Sequence, residues 1–478
     1  MDAYAAALKV PNILRNLLGE GTLSASFVPV YSDALGRGDD AGARRVARGI
    51  LGIVLLASGL LVAIGIAVAP WLAAVLVPGF DAELTALTAS LIRILFPMSG
   101  LMIAGAWCLG VLTSHRRFFL PFAAPGLWNL AQIVGLLVGA RLGWEPLIFV
   151  LAWSTLVGGA LQVAVQLPSA RRLAGTLRPG GRWRDPSVRT VTRNAGPVAA
   201  GQGVFQVSSL VDVMLASTLA AAGWGGAISA LYFAQRIVQL PMALFGVSVA
   251  VAALPEMSRE SVVEALEPHI RTGVRRILYF ILPAAVILAM YGDLVVGVVY
   301  QRAAFGAEDA RLVSWILAAY AVGLIATSLV KLFASGFHSL QDTRTPMRYA
   351  IVSVFVGIAT GAALMFWFVA LGLEARSATG LALGGAAGAW LNLVLLARGL
   401  SARGVSGVWS ARRLGRIALG AVAAAGISWP VASWASSWAI GTGLLARSAE
   451  LAVVLCAGGV PYLLIAGAPG PLRRKARA

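Results

Sequence analysis

The amino-acid sequence predicts an all-α, polytopic membrane protein, and three observations carry that prediction. Of 478 residues, 59% are hydrophobic and 12% charged, with a mean hydropathy of +0.83; ordinary soluble domains carry about 25% charged residues. Apolar stretches such as 49–80 and 94–113 reach the roughly 20 residues needed to cross a hydrocarbon core of about 30 Å. The third observation is where the cations fall. Of the 38 Lys and Arg, 28 lie in alternate connections, at 37–48, 116–117, 171–193, 259–276, 344–348, 398–416 and 473–477. The intervening connections hold only Arg141, Arg302, Arg311, Arg376 and Arg447. This is the positive-inside bias, which assigns the cation-rich side and the C-terminal tail to the cytoplasm. Topology accounts for the net charge of +18, so no basic patch is left over for nucleic acid.

Taken in order, the hydrophobic pattern predicts thirteen helices, at about 2–33, 46–77, 84–113, 119–141, 146–168, 190–220, 225–255, 268–300, 308–338, 346–371, 377–398, 414–437 and 445–468. With the tail inside, an odd count puts Met1 outside without a signal-peptide pattern to carry it there, so parity predicts one further helix ahead of it. The basic connection 167–186 divides the chain, and the same signposts recur on either side. Lys9 precedes Pro29 as Arg236 precedes Pro255, and Pro29 precedes Pro121 as Pro255 precedes Pro346, each to within one residue. An internal duplication into two six-helix repeats follows, the first short by a helix. An even repeat keeps its orientation, so the two are parallel and a substrate site is expected where they meet near mid-membrane. The expected organisation is a first lobe at 1–168, a basic linker at 169–189, a second lobe at 190–398, a second linker at 399–413, two extra helices at 414–468 and a basic tail at 469–478.

Five cations fall inside predicted spans: Lys9, Arg15, Arg93, Arg236 and Lys331. A cation near the bilayer centre costs about 2.5–3.5 kcal/mol even on lenient scales, so it is expected to face protein or a wet cavity. Lys9, Asn12, Asn16 and Gly19 form one polar face, with Arg15 alongside, opposite Ile13, Leu14, Leu17 and Leu18. Arg236 holds the corresponding place in the second repeat, beside Gln235 and Gln239, with Pro241 expected to kink its helix. Two cationic helices suit a diphosphate, because guanidinium groups bind phosphate oxygens in bidentate fashion. Structural pairing with Glu20, Asp212 or a carbonyl is the alternative. Arg93 and Lys331 have a further alternative, that of leaning to the interface along their stems. Gln202, Gln206, Ser209 and Asp212 make another polar stripe, in which the carboxylate marks an ion path or a salt bridge.

The segment VPNILRNLLGEGTLSASFVPVYS resembles the second transmembrane helix of the MurJ/MviN lipid II flippases, part of the superfamily that includes multidrug exporters and polysaccharide flippases. The segment LYFAQRIVQLPMALFGVSVAVAALP and the inside loops SHRRFFLPFAAPGLWNLAQIVG and SGFHSLQDTRTPMRYAIVS are similar to their counterparts in that family, so the resemblance spans nearly the whole chain. It implies fourteen helices, one of them ahead of DAYAAALKVPN. It also implies that Arg15 and Arg236 contact substrate in a central cavity; from their places inside the spans, Lys9 and Arg93 are expected to assist and Asn12, Gln202, Gln206 and Gln239 to line it. In some members a carboxylate at the place of Asp212 joins polar residues two repeat helices on to bind sodium; here Gly357 and Gly361 stand where relatives often carry Asn, which argues against such a site.

The remaining features read as structural. Gly380, Gly384 and Gly388 repeat a small-xxx-small pattern that packs helices closely. Cys108, Cys456 and three scattered histidines give no metal-ligand spacing, and no phosphate-binding loop or nucleophile elbow is present, so neither cofactor nor enzymatic activity is expected. The expected function is translocation of lipid II, the undecaprenyl-diphosphate-linked cell-wall precursor, across a bacterial inner membrane by alternating access, with cell-wall synthesis enzymes as possible partners. A flippase for another polyprenyl-linked glycan, a cation-coupled exporter of small molecules and a non-transporting scaffold are the rival readings.

Overall fold

The computed structural model describes residues 1–175, 185–260, 263–302, 305–340, 342–405, 407–409, 411–438 and 444–467. The basic tail expected at 469–478 and residues 176–184 of the basic linker expected at 169–189 lie outside the described residues. Every regular element among the described residues is helical, as hydrocarbon requires of a chain whose backbone polar groups must be paired internally. The chain divides into two compact units, Met1–Gly223 and Trp224–Ala478.

The first unit holds α1 (Asp2–Leu18), α2 (Glu20–Gly36), α3 (Asp40–Ala67), α4 (Ala69–Leu76), α5 (Ala82–Ser114), α6 (Phe119–Ala123), α7 (Pro125–Arg141), α8 (Leu147–Ala174) and α9 (Pro186–Ala221). Its centre is α5, which packs against α1, α2, α3, α4 and α8. Leu91, Ile92, Leu95, Met98, Val111 and Leu112 on α5 are fully buried. The Trp107 indole donates to the Ala47 carbonyl at 3.0 Å, giving its one polar atom a partner inside that core. The duplication assigns α9 to the second repeat, but it packs within the first unit, against α1, α2, α3 and α4.

The second unit holds α10 (Ala227–Pro241), a π-helical stretch (Met242–Val247), α11 (Ser248–Glu260), α12 (Val263–Met290), α13 (Gly292–Tyr300), α14 (Ala307–Ser339), α15 (Arg344–Ala370), α16 (Ser377–Ser401), α17 (Ala411–Trp438) and α18 (Leu444–Ala466). Here α14 is central, as α5 is in the first unit, and both are 33 residues long. The correspondence extends to α3–α4 and α12–α13: a 28-residue helix, a break at Val68 or Tyr291, and a helix of 8 or 9 residues.

Among the described residues, eleven helices are long and apolar enough to cross a membrane. The two other spans expected from sequence are α1–α2 and α9, whose polar residues dilute their apolar character. Five segments that the sequence predicts as single helices are interrupted. Residues 2–33 break at Gly19, 46–77 at Val68, 119–141 at Ala124 and 268–300 at Tyr291, while 225–255 passes through the π-helical stretch. The predicted kink at Pro241 takes this last form: the ring removes a backbone donor and the following carbonyls are taken up in wider turns.

The glycine pattern of α16 is used as its spacing predicts. An ideal Cβ on Gly384 would lie 2.2 Å from Gly361 Cα, and one on Gly388 would lie 2.6 Å from the Ser353 carbonyl. Gly357 and Gly361 of α15 therefore serve backbone-to-backbone packing. Beyond the membrane, Asp342 accepts the amides of Arg344 (3.1 Å) and Thr345 (3.0 Å) at the head of α15. It also pairs with Arg403, whose guanidinium lies 4.7 Å from the Phe337 ring centroid. Hydrogen bonds from Thr345, and then the Arg403 charge, hold the Asp342 carboxyl well below the usual carboxylate range.

Two outcomes are expected. Gly384→Val should destabilise the protein by at least about 1–3 kcal/mol through overpacking, read as a lower melting temperature in detergent; Gly385→Ala, where an added Cβ meets nothing within 4 Å, should leave it unchanged. Because the folded state depresses the Asp342 pKa, its stabilisation is complete above the unfolded value of about 3.9 and fades as pH falls below it. Asp342→Asn should lower the melting temperature at pH 7, and the gap to the parent should narrow below about pH 4.

Candidate functional site

The polar face of α1 sits against protein. Lys9, Asn12 and Arg15 are all half-buried, and the helix stops at Gly19 directly after them. Gly19 has φ −93° and ψ −119° and still donates to the Arg15 carbonyl at 2.8 Å. An ideal Cβ there would lie 2.4 Å from that same oxygen, so the break depends on glycine. The Thr22 hydroxyl donates to the Leu17 carbonyl, satisfying an acceptor that the break frees.

The Arg15 guanidinium lies 6.0 Å from the Trp128 ring centroid on α7, at the outer limit of a cation–π contact. Arg15 Nε, Asn12 Oδ1 and Trp128 Nε1 are buried without a hydrogen-bond partner in the protein. Each such group costs about 1–3 kcal/mol if left unmade, so the cluster has capacity for a polar ligand or water. Alongside, the Tyr4 and Thr155 hydroxyls meet at 2.8 Å and Gln132 Nε2 donates to Thr155 at 2.7 Å, which ties α1 to α7 and α8.

Asp212 is half-buried on α9, where that helix packs on α1, and the charge that acts on it is Lys9. Gln206 and Ser209 are half-buried on the same helix; the side chain of Gln202 lies outside the described residues. Arg93 is exposed on α5 and makes no ion pair among the described residues.

In the second unit, Arg236 is exposed on α10 together with Gln235 and Gln239. Its Nη2 donates to the Tyr232 hydroxyl at 3.0 Å, and the guanidinium lies 4.9 Å from that ring's centroid. Tyr232 is braced in turn by Phe233, which packs against Tyr300 at 4.8 Å and Phe305 at 5.8 Å. Arg236 is thus held on Tyr232 through one Nη2 bond and its guanidinium face, with donors to spare, a little over a turn before Pro241 and the π-helical stretch. Lys331 is exposed on α14.

The two strongest sequence candidates share a local arrangement. Each arginine rides a helix that is interrupted within about a turn of it, and each stands on an aromatic ring. Interrupted membrane helices aim backbone and side-chain polar groups at ligands, and guanidinium stacked on a ring keeps its edge donors free for an oxyanion. Sequence reasoning missed Trp128, Tyr232, Tyr4, Gln132 and Thr155. Only the Tyr232–Arg236 pair carried a local signal, its i, i+4 spacing. Among the described residues no group of three or more His, Cys, Asp or Glu is placed to hold a metal ion.

The lipid II flippase MurJ family matches the chain over residues 1–448. A MurJ-named protein from Rhizobium tropici is 35% identical over 405 residues, covering 83% of this chain and 73% of its own. A lipid II flippase MurJ from Burkholderia cenocepacia is 30% identical over 360 residues, covering 73% of this chain and 69% of its own. One from Vibrio cholerae is 30% identical over 483 residues and covers 97% of this chain and 88% of its own. Among solved structures, a lipid II flippase MurJ in an inward closed conformation superposes with a TM-score of 0.77 at 20% identity, over 100% of this chain and 93% of that one. An inward-facing multidrug transporter of the MATE family superposes at 0.69 and 16% identity, over 85% and 92%. These two establish a shared fold. By the extent of the family match and the identity of its relatives, this multi-pass membrane protein belongs to the lipid II flippase MurJ family.

Proposed function

We propose that the protein translocates lipid II across a bacterial inner membrane, with its C-terminus in the cytoplasm. Membership of the MurJ family carries the substrate assignment, and the arginine-bearing interrupted helices carry the assignment of residues. Lipid II presents a diphosphate, which needs cations with free donors. Arg15 and Arg236 are assigned to it, Lys9 and Arg93 to the surrounding positive field, and Asn12, Gln202, Gln206 and Gln239 to polar contacts. The orphaned atoms of Asn12, Arg15 and Trp128 fit a site completed by its ligand. Asp212 is assigned as the electrostatic partner of Lys9, and Gly357 and Gly361, committed to helix packing, supply no side-chain oxygen to a cation. No bond-making step is assigned. Translocation rests on conformational change and not on catalysis.

Rescue of a bacterial strain depleted of its own lipid II flippase tests the function: the protein should restore growth, and failure despite normal membrane abundance would count against the assignment. Arg15→Ala and Arg236→Ala should each weaken lipid II binding and rescue by about 10- to 100-fold, the worth of one charge-assisted contact. A parent-like result for both variants points instead to a scaffold. Lys9→Gln and Asp212→Asn should show a coupling of about 1 kcal/mol in a double-mutant stability cycle; gradient-dependent drug efflux abolished by Asp212→Asn would favour an exporter.

A further inference from the structure

A second basic site lies in the Trp224–Ala478 unit, away from Arg236. Where α12 meets α17, a cavity of about 460 Å³ is lined by Arg271, Thr272, Arg275, Gly407 and Arg413, with Leu414 on its apolar side. Arg271 is already committed: it pairs with Glu267 and its Nε donates to the Gly407 carbonyl at 2.6 Å. These contacts pin the α16–α17 connection against α12 and form one wall of the cavity. Arg275 and Arg413 make no ion pair among the described residues, and the charges that act on Arg275 are Arg413 and Arg276. Like charges gathered on one cavity repel one another unless an anion joins them.

The level of the cavity selects the source of that anion. On α12 the polar stretch ends at Arg276 and an apolar run begins at Ile277; on α17 the apolar stretch begins at Ile417, just past Arg413 and Arg416. The cavity thus sits at the polar-to-apolar border of both helices, the depth of lipid headgroups. The next turns expose Phe280 on α12 and Leu419 and Val422 on α17, surface that suits acyl chains. On the buried side of the same turns, Tyr279, Ile417, Ala421, Ala424 and Tyr462 form the apolar cluster that joins α12 to α17 and α18.

We propose that this cavity binds the phosphate of an anionic phospholipid headgroup, with Arg275 and Arg413 as its cationic ligands. The bound lipid secures the α17–α18 pair to α12. The site stands independently of what the protein transports.

Native mass spectrometry of the purified protein with added phosphatidylglycerol or phosphatidylcholine tests this. Phosphatidylglycerol should bind and phosphatidylcholine should not. Arg275→Gln/Arg413→Gln should weaken phosphatidylglycerol binding about 30-fold, whereas Arg275→Lys/Arg413→Lys should retain most of it. Thr272→Trp keeps every charge but fills the cavity, and should weaken binding as strongly as the Gln pair. Parent-like binding by the Gln pair or by Thr272→Trp overturns the site, as does equal binding of the two lipids. Displacement of phosphatidylglycerol by an excess of inorganic phosphate overturns the lipid assignment and leaves a soluble-anion site.

Discussion

In hydrocarbon an unpaired backbone group or an isolated charge has no water to fall back on. An uninterrupted apolar helix is therefore the default, and each departure from it needs its own compensation. Two of the departures here follow directly on arginines. At Gly19 the chain turns out of helical geometry only because no Cβ crowds the Arg15 carbonyl, and Thr22 takes up one of the freed acceptors. At Pro241 the lost donor is absorbed by π-helical turns. The two interruptions use different chemistry to the same end, leaving a cation near a place where the backbone has ceased to be self-sufficient.

Aromatic rings supply the second half of the compensation. Trp128 under Arg15 and Tyr232 under Arg236 each offer a face that a delocalised, weakly hydrated guanidinium tolerates, while the nitrogens at its edge remain available. The rest of each unit braces these placements. In the first unit α5 forms a buried axis and the Tyr4–Thr155–Gln132 network joins α1 to its neighbours. In the second, α14 is the axis, and the Phe233–Tyr300–Phe305 cluster supports Tyr232. In the first unit the Lys9 charge acts on the Asp212 carboxylate.

The close packing of α15 on α16 bears on ion coupling. Gly357 and Gly361 let Gly384 approach to backbone contact. A side chain at Gly384, where an added Cβ would lie 2.2 Å from Gly361 Cα, would push the helices apart. Neither Gly357 nor Gly361 carries a side-chain oxygen, so these two positions offer a cation no side-chain ligand.

The membrane class and the helices were legible in the sequence, because each rests on composition or on spacing along the chain. Of the five cations placed inside spans, Lys9 and Arg15 are half-buried whereas Arg93, Arg236 and Lys331 are exposed. Hydrophobic runs of about 20 residues and alternating charge need no knowledge of neighbours. The Pro241 kink and the glycine contacts of α16 were equally local. The tertiary structure decided which half-buried groups meet. Trp128 lies 113 positions from Arg15 and Thr155 lies 151 from Tyr4, and no periodicity within one helix reports such a pairing. It also decided that Lys9 is the charge beside Asp212, that α9 packs in the first unit, and that Gly19 breaks its helix where the polar stripe alone reads as continuous. Patterns along one helix report which face is polar; which partner fills that face is set by packing between distant segments.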